Sequence, residues 1–506
     1  MPAKILSGAC LGLDALPIEV EADTGGGQLG SFSIVGLPDL AVQEAKERVR
    51  SAIRNSGIEF PKIKITVNLA PADLKKQGPS YDLPIAMSIL QSMAKTSFAQ
   101  ATQKSLFLGE LALNGDIRPV HGVLPIALAA KRWGIDRMFV PQDNIKEASL
   151  APDVDIYGPK NIVELLEHLT GKKSLQKHEA GPFEAGTIIA PIDMSSVQGQ
   201  EHVKRAMEIA AAGGHNMLMS GPPGSGKTML ARAMTSILPD LILEEALEIT
   251  KIYSVAGCLS GHNSLVRTRP FRSPHHTSSG ISLVGGGTWP KPGEISLAHR
   301  GVLFLDEFPE FSRQTLENLR QPLEDGIVNI SRVAGTIAFP AKFMLVAAMN
   351  PCPCGYANDH ERHCICSAGQ TLAYQKKISG PILDRIDIHV EVPRVSFEKL
   401  SQGTPGECSE SIKKRVTRAR MVQRTRYAKS GFLTNAEIST QMVKEMNKLD
   451  QATLSLLHQA VDRLHLSARS YYRIIKLART IADLAEDQEI SQLHVAEALQ
   501  YRAKAD

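Results

Sequence analysis

The stretch GPPGSGKT at residues 221–228 decides the fold of this chain, because its spacing is that of a phosphate-binding P-loop. Its glycines let the backbone bend so that consecutive N–H groups point inward, while Lys227 can reach the β and γ phosphates and Thr228 can hold Mg²⁺. Residues 216–220 before the loop predict a short buried strand, and residues 229–237 after it begin an apolar helix. The predicted nucleotide-binding residues are Gly221, Pro222, Pro223, Gly224, Ser225, Gly226, Lys227 and Thr228.

A second motif lies downstream, where GVLFLDE at residues 301–307 reads as a buried strand that ends in two acids. This is the Walker B arrangement. We expect Asp306 to lie beside the Mg²⁺ held by Thr228, and Glu307 to orient and polarise the attacking water. Two acids after a strand are weak evidence alone, but they are strong evidence downstream of an intact P-loop.

The next apolar strand, residues 343–349, ends at Asn350. Its amide would lie near the γ-phosphate and sense it. Asn350 could instead cap the turn at Pro351.

Composition sets broad limits on the protein. A chain of 506 residues predicts roughly three domains at about 150 residues each. Hydrophobic residues make up 43% and charged residues 22%, and no apolar run approaches the ~20 residues needed to span a bilayer, which predicts a cytoplasmic protein with no membrane partner. The net charge of +4 does not by itself indicate nucleic acid, so any such binding must come from local patches.

Four of the seven cysteines fall within fifteen residues: Cys352, Cys354, Cys364 and Cys366. In a cytosolic chain this clustering indicates metal rather than disulfides. Four thiolates complete one closed tetrahedral Zn²⁺ site, which would order the polar segment between them. His360 or His363 could replace one sulfur, and inert thiols or a redox switch are the alternatives to structural zinc.

Periodicity and composition divide the chain into four segments. Residues 1–170 mix strands with amphipathic helices in an α+β pattern, and residues 171–187 are polar with Gly and Pro, as in a linker. Residues 188–392 show βα units around the P-loop and include the cysteine cluster, and residues 393–506 are dominated by helical periodicity. The predicted class is a multidomain α/β protein.

Together with the P-loop and the two acids, five further motifs occur in order along nearly the whole chain. They are VQGQ (197–200), SPHHTSSGISLVGGGTWPKPGEISLAHR (273–300), NPCPCG (350–355), SGPILDRIDIHVEV (379–392) and LSARSYYRIIKLARTIADL (466–484). The chain thereby resembles the AAA+ ATPases of the magnesium-chelatase-like group, specifically the YifB/ComM family.

The resemblance implies a homo-hexameric ring that binds ATP and Mg²⁺ between neighbouring subunits, an AAA+ core and a helical lid. Arg385 matches the arginine that completes the neighbour's site, although it could instead pair with Asp384 or Asp387 of its own chain. Arg469 matches the second sensor that contacts ATP in the same subunit, with Arg473 as the alternative.

The N-terminal segment resembles the proteolytic domain of Lon over residues 70–83 and 106–130. Ser80 matches the catalytic serine, but the position of its partner lysine is occupied by Ile126. A serine without a general base is a poor nucleophile, so the fold is expected without the protease chemistry. Such a domain would serve ring assembly or partner contact.

DNA is the partner that the resemblance implies. A predicted hairpin at residues 327–330 and 336–339 carries Arg332 near its tip, and related AAA+ proteins place such a hairpin in the central pore. Residues 411–433 add eight basic side chains, which could contact DNA or simply face solvent. Lys291 and the glycines at 285–287 are weaker candidates.

By resemblance, the expected function is an ATP-driven DNA motor, a helicase or branch-migration factor that acts with recombination proteins on single-stranded, forked or branched DNA during natural transformation. One alternative is a magnesium-chelatase subunit that drives metal insertion into a porphyrin. The other is an ATP-dependent protease, which Ile126 opposes.

Overall fold

The computed structural model describes residues 2–25, 30–93, 98–179, 181, 186, 192–259, 264–287, 290–332, 335–357, 359, 362–395, 406–446, 449–464 and 466–502. The chain folds into two compact units. The first consists of Met1–Glu184 and Leu243–Val266, and the second of Ala185–Ile242 and Arg267–Asp506. The chain therefore enters the second unit, returns to the first for one segment, and then completes the second.

A mixed sheet of seven strands organises the first unit, in the order β3-β4-β2-β1-β5-β8-β9. Strand β2 runs antiparallel to both β1 and β4, whereas β3–β4, β1–β5, β5–β8 and β8–β9 are parallel. A separate antiparallel pair is formed by β6 and β7. The bounds are β1 Ala3–Leu11, β2 Asp14–Gly25, β3 Phe32–Val35, β4 Lys64–Ala70, β5 Ser105–Phe107, β6 Glu110–Leu111, β7 Ile117–Arg118, β8 Arg137–Phe139 and β9 Asp155–Tyr157.

Helices of the first unit pack against this sheet or against one another. The first helix begins after Asp39, whose carboxylate accepts a hydrogen bond from the N–H of Val42, and its buried residues Val42, Ala45, Val49 and Ala52 recur at helical spacing. This helix and the strand β4 agree with the mixture of strands and amphipathic helices that the sequence predicts for this part of the chain. The helices are Leu40–Asn55, Asp82–Met93, Ala99–Thr102, Val123–Ala130, Ile145–Ala148, Ile162–Leu169 and Leu243–Ala256.

The last of these helices is contributed by the segment that returns from the second unit. Ser254 donates to the Glu147 carboxylate at 2.5 Å, and its carbonyl accepts from the N–H of Gly122 at 3.2 Å. Burial raises the pKa of Glu147, although the hydrogen bonds from Ser254 and Leu124 oppose that rise. These buried polar contacts fix the segment to the first unit.

In the predicted linker at 171–187, the structure describes residues 171–179, 181 and 186. Of the part that is described, the N–H of His178 donates to the carbonyl of Ile156 in β9, and Lys177 pairs with Asp155 at 2.6 Å. This part of the segment follows the edge of the first unit's sheet.

The second unit is built on a parallel sheet of five strands in the order β11-β14-β17-β10-β18. The strands β10, β14 and β17 are almost wholly buried and read as continuous apolar runs, as expected where helices cover both faces of a parallel sheet. The bounds are β10 Met217–Ser220, β11 Phe271–Arg272, β12 Gly285–Gly286, β13 Lys291–Pro292, β14 Val302–Leu305, β15 Ile327–Arg332, β16 Gly335–Pro340, β17 Met344–Met349 and β18 Ile388–Glu391.

Helices surround this sheet and continue into a helical C-terminal region, and both contribute to one apolar core that includes Met207, Met234 and Ile481. No helix among the described residues is both long and apolar enough to cross a bilayer. The helices are Glu201–Gly213, Lys227–Ile237, Gly280–Val284, Glu294–Leu297, Arg313–Glu317, Arg320–Asp325, Ala368–Gln375, Gly380–Leu383, Ser409–Tyr427, Thr440–Met446, Gln451–Leu464, Ala468–Leu484 and Gln492–Gln500.

Candidate functional site

The P-loop joins β10 to the helix Lys227–Ile237, the strand–loop–helix context that its sequence predicts. Gly224 and Gly226 have φ of +77° and +90°, and neither would bring a Cβ within 4 Å of another group. A side chain would fit there, so it is the left-handed backbone that favours glycine. The Ser225 hydroxyl is buried and has no hydrogen-bond partner in the described part of the chain. A bound group that accepts a hydrogen bond would satisfy it.

Lys227 is buried at the start of the helix. Its ammonium donates to the carbonyls of Gly221 and Pro222 at 2.7 and 2.9 Å and to the amide oxygen of Asn350 at 3.3 Å. Burial lowers the pKa of Lys227, and the charge of Asp306 partly offsets this effect. The structure thus brings Asn350, at the end of β17, to the P-loop lysine, where both could meet a phosphate.

Thr228 and Asp306 meet at the carboxyl edge of the sheet. The Thr228 hydroxyl donates to Oδ2 of Asp306 at 2.8 Å, and the other carboxylate oxygen accepts from the N–H of Glu307 at 2.9 Å. Hydroxyl and carboxylate oxygens are the ligands that Mg²⁺ prefers, and Mg²⁺ usually binds through few protein groups together with substrate phosphates. The two residues therefore fit the ion that the sequence predicts at this position.

Glu307 adopts a left-handed backbone with φ of 50°, which is uncommon for a residue other than glycine and is a form of strain that accumulates at functional sites. Its carboxylate lies 3.0 Å from Nδ1 of His276, whose ring lies 4.1 Å from that of His275. Sequence reasoning singled out the surrounding SPHHTSSG run only as a family motif. The contact to His276 became visible only when the fold brought residues 276 and 307 together.

The four clustered cysteines converge, with all four sulfurs within 4.8 Å of one another. The Sγ atoms of Cys352 and Cys354 are 3.3 Å apart, and those of Cys354 and Cys364 are 3.5 Å apart. A tetrahedral site with Zn–S bonds of about 2.3 Å has sulfurs ~3.8 Å apart, whereas a disulfide needs about 2.05 Å. The spacing is compatible with one Zn²⁺.

Hydrogen bonding favours the metal-binding thiolate form of Cys354. The N–H of Tyr356 is the main reason that the pKa of Cys354 falls to about 6, because it stabilises the thiolate. At Cys364 and Cys366, backbone N–H groups lower the pKa, but burial and the neighbouring thiols raise it overall. His363, one proposed replacement ligand, is an exposed residue, and His360 lies outside the described residues.

Arg385 is nearly buried beside the short helix Gly380–Leu383. Its guanidinium donates to the Pro381 carbonyl at 2.7 Å and forms an ion pair with Glu324. Burial lowers the pKa of Arg385, and the nearby positive charges of Arg469 and Arg473 lower it further. The intrachain partner is therefore Glu324, rather than the aspartates considered from the sequence.

Arg469 contacts the same carboxylate as Arg385, through Oε1 of Glu324 at 2.9 Å. The alternative sensor, Arg473, pairs with the buried Asp387 at 2.5 Å, and His215 contacts the other oxygen of that carboxylate at 3.2 Å. Burial alone would raise the pKa of Asp387, but Arg473 and His215 lower it well below its ordinary value. Arg469 and Arg385 thus share the carboxylate of Glu324, whereas Arg473 forms a buried ion pair with Asp387.

The hairpin predicted to carry Arg332 is confirmed as an antiparallel pair, β15 and β16, in which Arg332 is opposite Gly335. Residues 333 and 334 at the tip lie outside the described residues.

Seven of the eight basic residues of the segment 411–433 lie in the helix Ser409–Tyr427, and Lys429 follows it. Most of these charges contact other parts of the second unit. Partners include Asp240 for Lys413, Glu208 for Arg415, Glu486 for Arg418, the Ala211 carbonyl for Arg420 and Asp483 for Arg426.

In the first unit Ser80 is half-buried at the turn before the helix Asp82–Met93, and its carbonyl accepts from the N–H of Gly109 at 3.1 Å. Ile126 is only 3% exposed and packs in the apolar cluster of Val123, Met138 and Val140. A Cβ added to Gly8 would lie 2.6 Å from Ile126, so the strand β1 passes directly against this side chain. The position that matches the catalytic lysine of Lon therefore lies in the hydrophobic core of the first unit.

A P-loop whose threonine meets a Walker B aspartate at the edge of a parallel sheet defines a P-loop ATPase module. Three family models match the chain. They are described as "Magnesium chelatase, subunit ChlI" at residues 193–400, "Subunit ChlI of Mg-chelatase" at 18–144 and "Magnesium chelatase, subunit ChlI C-terminal" at 406–502.

Full-length relatives define the family further. The chain is 44% identical to competence protein ComM of Haemophilus influenzae over 99% of its own length and 97% of that protein. It is also 44% identical to the uncharacterized protein YifB of Escherichia coli, over 98% and 96% of the two chains. The chain belongs to the YifB/ComM family of magnesium-chelatase-like AAA+ proteins. This membership implies an ATPase that uses ATP and Mg²⁺.

A partial similarity to Lon accompanies this family. The chain is 29% identical to the Lon protease of Aster yellows witches'-broom phytoplasma over 156 residues, which cover 30% of this chain and 19% of that protein.

Proposed function

We propose that this protein is a hexameric AAA+ motor that couples ATP hydrolysis to movement on DNA, as a helicase or branch-migration factor in recombination and natural transformation. The observation that carries the DNA assignment is the full-length similarity to a relative named as a competence protein. The motor assignment is supported by the P-loop lysine, Thr228 and Asp306 in hydrogen-bonding reach of their expected partners. In this proposal the protein acts in the cytoplasm.

Each residue of the nucleotide site has its own role in this proposal. Lys227 and Asn350 contact the terminal phosphate, while Thr228 and Asp306 hold Mg²⁺, which supplies charge neutralisation to the phosphates when bound. Glu307 orients and activates the attacking water. His276 holds the Glu307 carboxylate at 3.0 Å and so positions it.

Completion of the site requires a neighbouring subunit. Arg385 supplies positive charge to the leaving phosphate of that neighbour, an effect worth about 10³–10⁵ in rate. Glu324 keeps the guanidinium oriented until it is engaged. Since Arg469 shares this carboxylate, it would reach a nucleotide of the same subunit only by leaving Glu324.

The hairpin of β15 and β16 is the proposed DNA contact, with Arg332 tracking the phosphate backbone in the pore. The helix Ser409–Tyr427 is less suited to this role. Basic side chains of this helix already form ion pairs with Glu208, Asp240 and Asp483, so they are not available to bind a phosphate.

The cysteine cluster is proposed to bind one structural Zn²⁺ per chain, because four thiolates leave no open coordination position. Metal analysis of protein purified without added zinc should find about one Zn²⁺ per chain. A metal-free, folded protein with four titratable thiols would contradict the proposal.

Two rival functions differ in what they require. A chelatase motor would share the ATPase module, whose family model carries the chelatase name, but would respond to a porphyrin-binding partner and not to DNA. A protease would need a base beside Ser80, where the matching position is the buried Ile126.

The test is an ATPase assay with forked, four-way and single-stranded DNA. Turnover should rise with DNA, and DNA binding should weaken steeply with salt while remaining largely independent of sequence, because phosphate contacts release counterions. Arg332→Ala should lower DNA-stimulated turnover and spare basal hydrolysis, whereas Arg132→Ala, an exposed position in the first unit, should change neither. A hexamer with competent basal ATPase that none of these DNAs stimulates would contradict the DNA assignment.

A further inference from the structure

A cavity of about 620 Å³ lies beside the P-loop, within the range typical of small-molecule sites. Its walls come from three parts of the second unit. They are residues 196–198 and 200, residues 223–226 of the P-loop with 229 and 230 of the helix that follows, and Arg394 and Val395 after β18. The cavity is continuous with the proposed phosphate site. The nucleoside part of a bound nucleotide therefore has this space available to it.

The loop between the cysteines contacts the wall that the P-loop forms. Gly355 has φ of +87°, and a Cβ at this position would lie 2.5 and 2.7 Å from Cδ and Cγ of Pro223 in the P-loop. The N–H of Gly355 donates to the carbonyl of Cys352 at 3.0 Å. The proline ring is rigid, so the position of this loop and the position of the P-loop depend on each other.

The same loop contacts a second wall of the cavity. The guanidinium of Arg394 lies 5.5 Å from the centre of the Tyr356 ring, and its Nε is 3.1 Å from Oδ2 of Asp359, a carboxylate only 3% exposed. Arg362 lies over the Tyr356 ring as well, at 5.4 Å. Tyr356 and Asp359 both belong to the segment between Cys354 and Cys364, so this segment contributes to the position of Arg394.

Among the described residues between Cys354 and Cys364, no hydrophobic side chain is buried. The segment is short and polar, and only Cys352 among the four cysteines is fully buried. In such a segment the metal ligands take the place of a hydrophobic core, so that the free energy of metal binding becomes free energy of local folding. Loss of the metal would then release Pro223 and Arg394 together.

We infer that metal occupancy of the four cysteines controls nucleotide affinity, because the loop they enclose positions Pro223 and Arg394 at two walls of the nucleotide cavity. The inference rests on the proposed nucleotide binding and adds to it a regulatory metal. Coupling between two sites is reciprocal, so bound nucleotide must tighten metal binding by the same factor.

The experiment uses the full chain and a fluorescent, non-hydrolysable ATP analogue. Stripping Zn²⁺ with a chelator should weaken analogue binding by about 5- to 150-fold, the usual range of coupling between sites, and one equivalent of Zn²⁺ should restore it. In a competition with a chromogenic chelator, the analogue should raise Zn²⁺ affinity by the same factor. Unchanged analogue affinity in stripped, folded protein would overturn the inference.

Point variants separate the two contacts. Gly355→Ala should weaken analogue binding while Zn²⁺ remains bound, whereas Gly431→Ala, with φ of +71° and nothing within 4 Å of its Cβ, carries similar backbone strain without the contact and should not. Tyr356→Ala should weaken binding, and Tyr356→Phe, which keeps the ring, should restore it. Equal behaviour of each pair would contradict the proposed route.

Failure of the inference and failure of the proposed function give different results. A zinc-loaded protein that does not bind the analogue at all would contradict nucleotide binding itself. Normal analogue binding by a protein that never binds Zn²⁺ would contradict only the metal control. Neither measurement involves DNA, so the DNA assignment is tested separately.

Discussion

The nucleotide site of the second unit and the Lon-like first unit differ in how many of their expected functional residues are present. In the second unit Lys227 and Thr228 of the P-loop, Asp306 and Asn350 come from three different segments and meet within hydrogen-bonding distance. In the first unit a serine occupies the expected turn, but the position of its base is filled by Ile126, which is part of the core. A shared fold therefore says little about chemistry until the partner of each reactive group is located.

Substitution of Arg385 gives the largest expected effect, since it tests whether the site in the second unit is complete within one chain. Arg385→Ala should lower ATP turnover by about 10³-fold or more, because the charge on the leaving phosphate is lost. Rings mixed from Arg385→Ala and Lys227→Ala subunits should recover activity wherever an intact Lys227 faces an intact Arg385. If assembled mixed rings show no recovery, Arg385 acts within its own chain, where it pairs with Glu324.

Glu307→Gln should have the next largest effect. Turnover should fall by about 10²–10⁴-fold, the usual contribution of a positioned base, while nucleotide affinity stays near that of the wild type because the phosphate and Mg²⁺ ligands remain. Glu310→Gln is the matched control, since Glu310 lies three residues further on and pairs at the surface with Lys377 at 3.1 Å. Comparable turnover in the two variants would remove Glu307 from its proposed role.

The contrast between the two units also shows what sequence can predict. Strand β14 matches its prediction at Val302–Leu305, and β17 differs from its prediction by one residue at its start, because buried parallel strands are read directly from continuous apolar runs. Lys227 and Asn350 lie together because the P-loop and Asn350 follow the carboxyl ends of the parallel neighbours β10 and β17, which share one edge of the sheet.

Several long-range contacts could not be predicted from any local sequence pattern. The return of Leu243–Val266 to the first unit depends on a buried contact between Ser254 and Glu147, 107 residues apart. The pairing of Arg385 with Glu324 and the contact of His276 with Glu307 also join residues that lie far apart in the sequence. Such contacts are set by tertiary packing, which the periodicity of a single segment does not encode.

A substitution at Ile126 tests whether this position belongs to the hydrophobic core of the first unit. Ile126→Ala should lower the local opening free energy of that unit by about 2–5 kcal/mol, because it leaves a cavity against β1. Hydrogen–deuterium exchange of peptides from β1 and β5 measures this change. Val163→Ala, at a position 39% exposed on a helix of the same unit, should change it little. An equally small effect at Ile126 would show that the position is not core.

The smallest expected effect is that of Ser80→Ala, which should leave ATPase activity, DNA stimulation and any peptide cleavage unchanged. The serine is half-buried, and the contact the structure gives it is its backbone carbonyl accepting from Gly109. Lys76, four residues earlier, is fully buried and donates its ammonium to the Pro71 carbonyl, so its position suits a structural role. Cleavage of casein or a fluorogenic peptide by the wild type, abolished in Ser80→Ala, would contradict this view. Nucleophilic catalysis needs a base within hydrogen-bonding reach of the hydroxyl, and an isoleucine side chain cannot accept a proton.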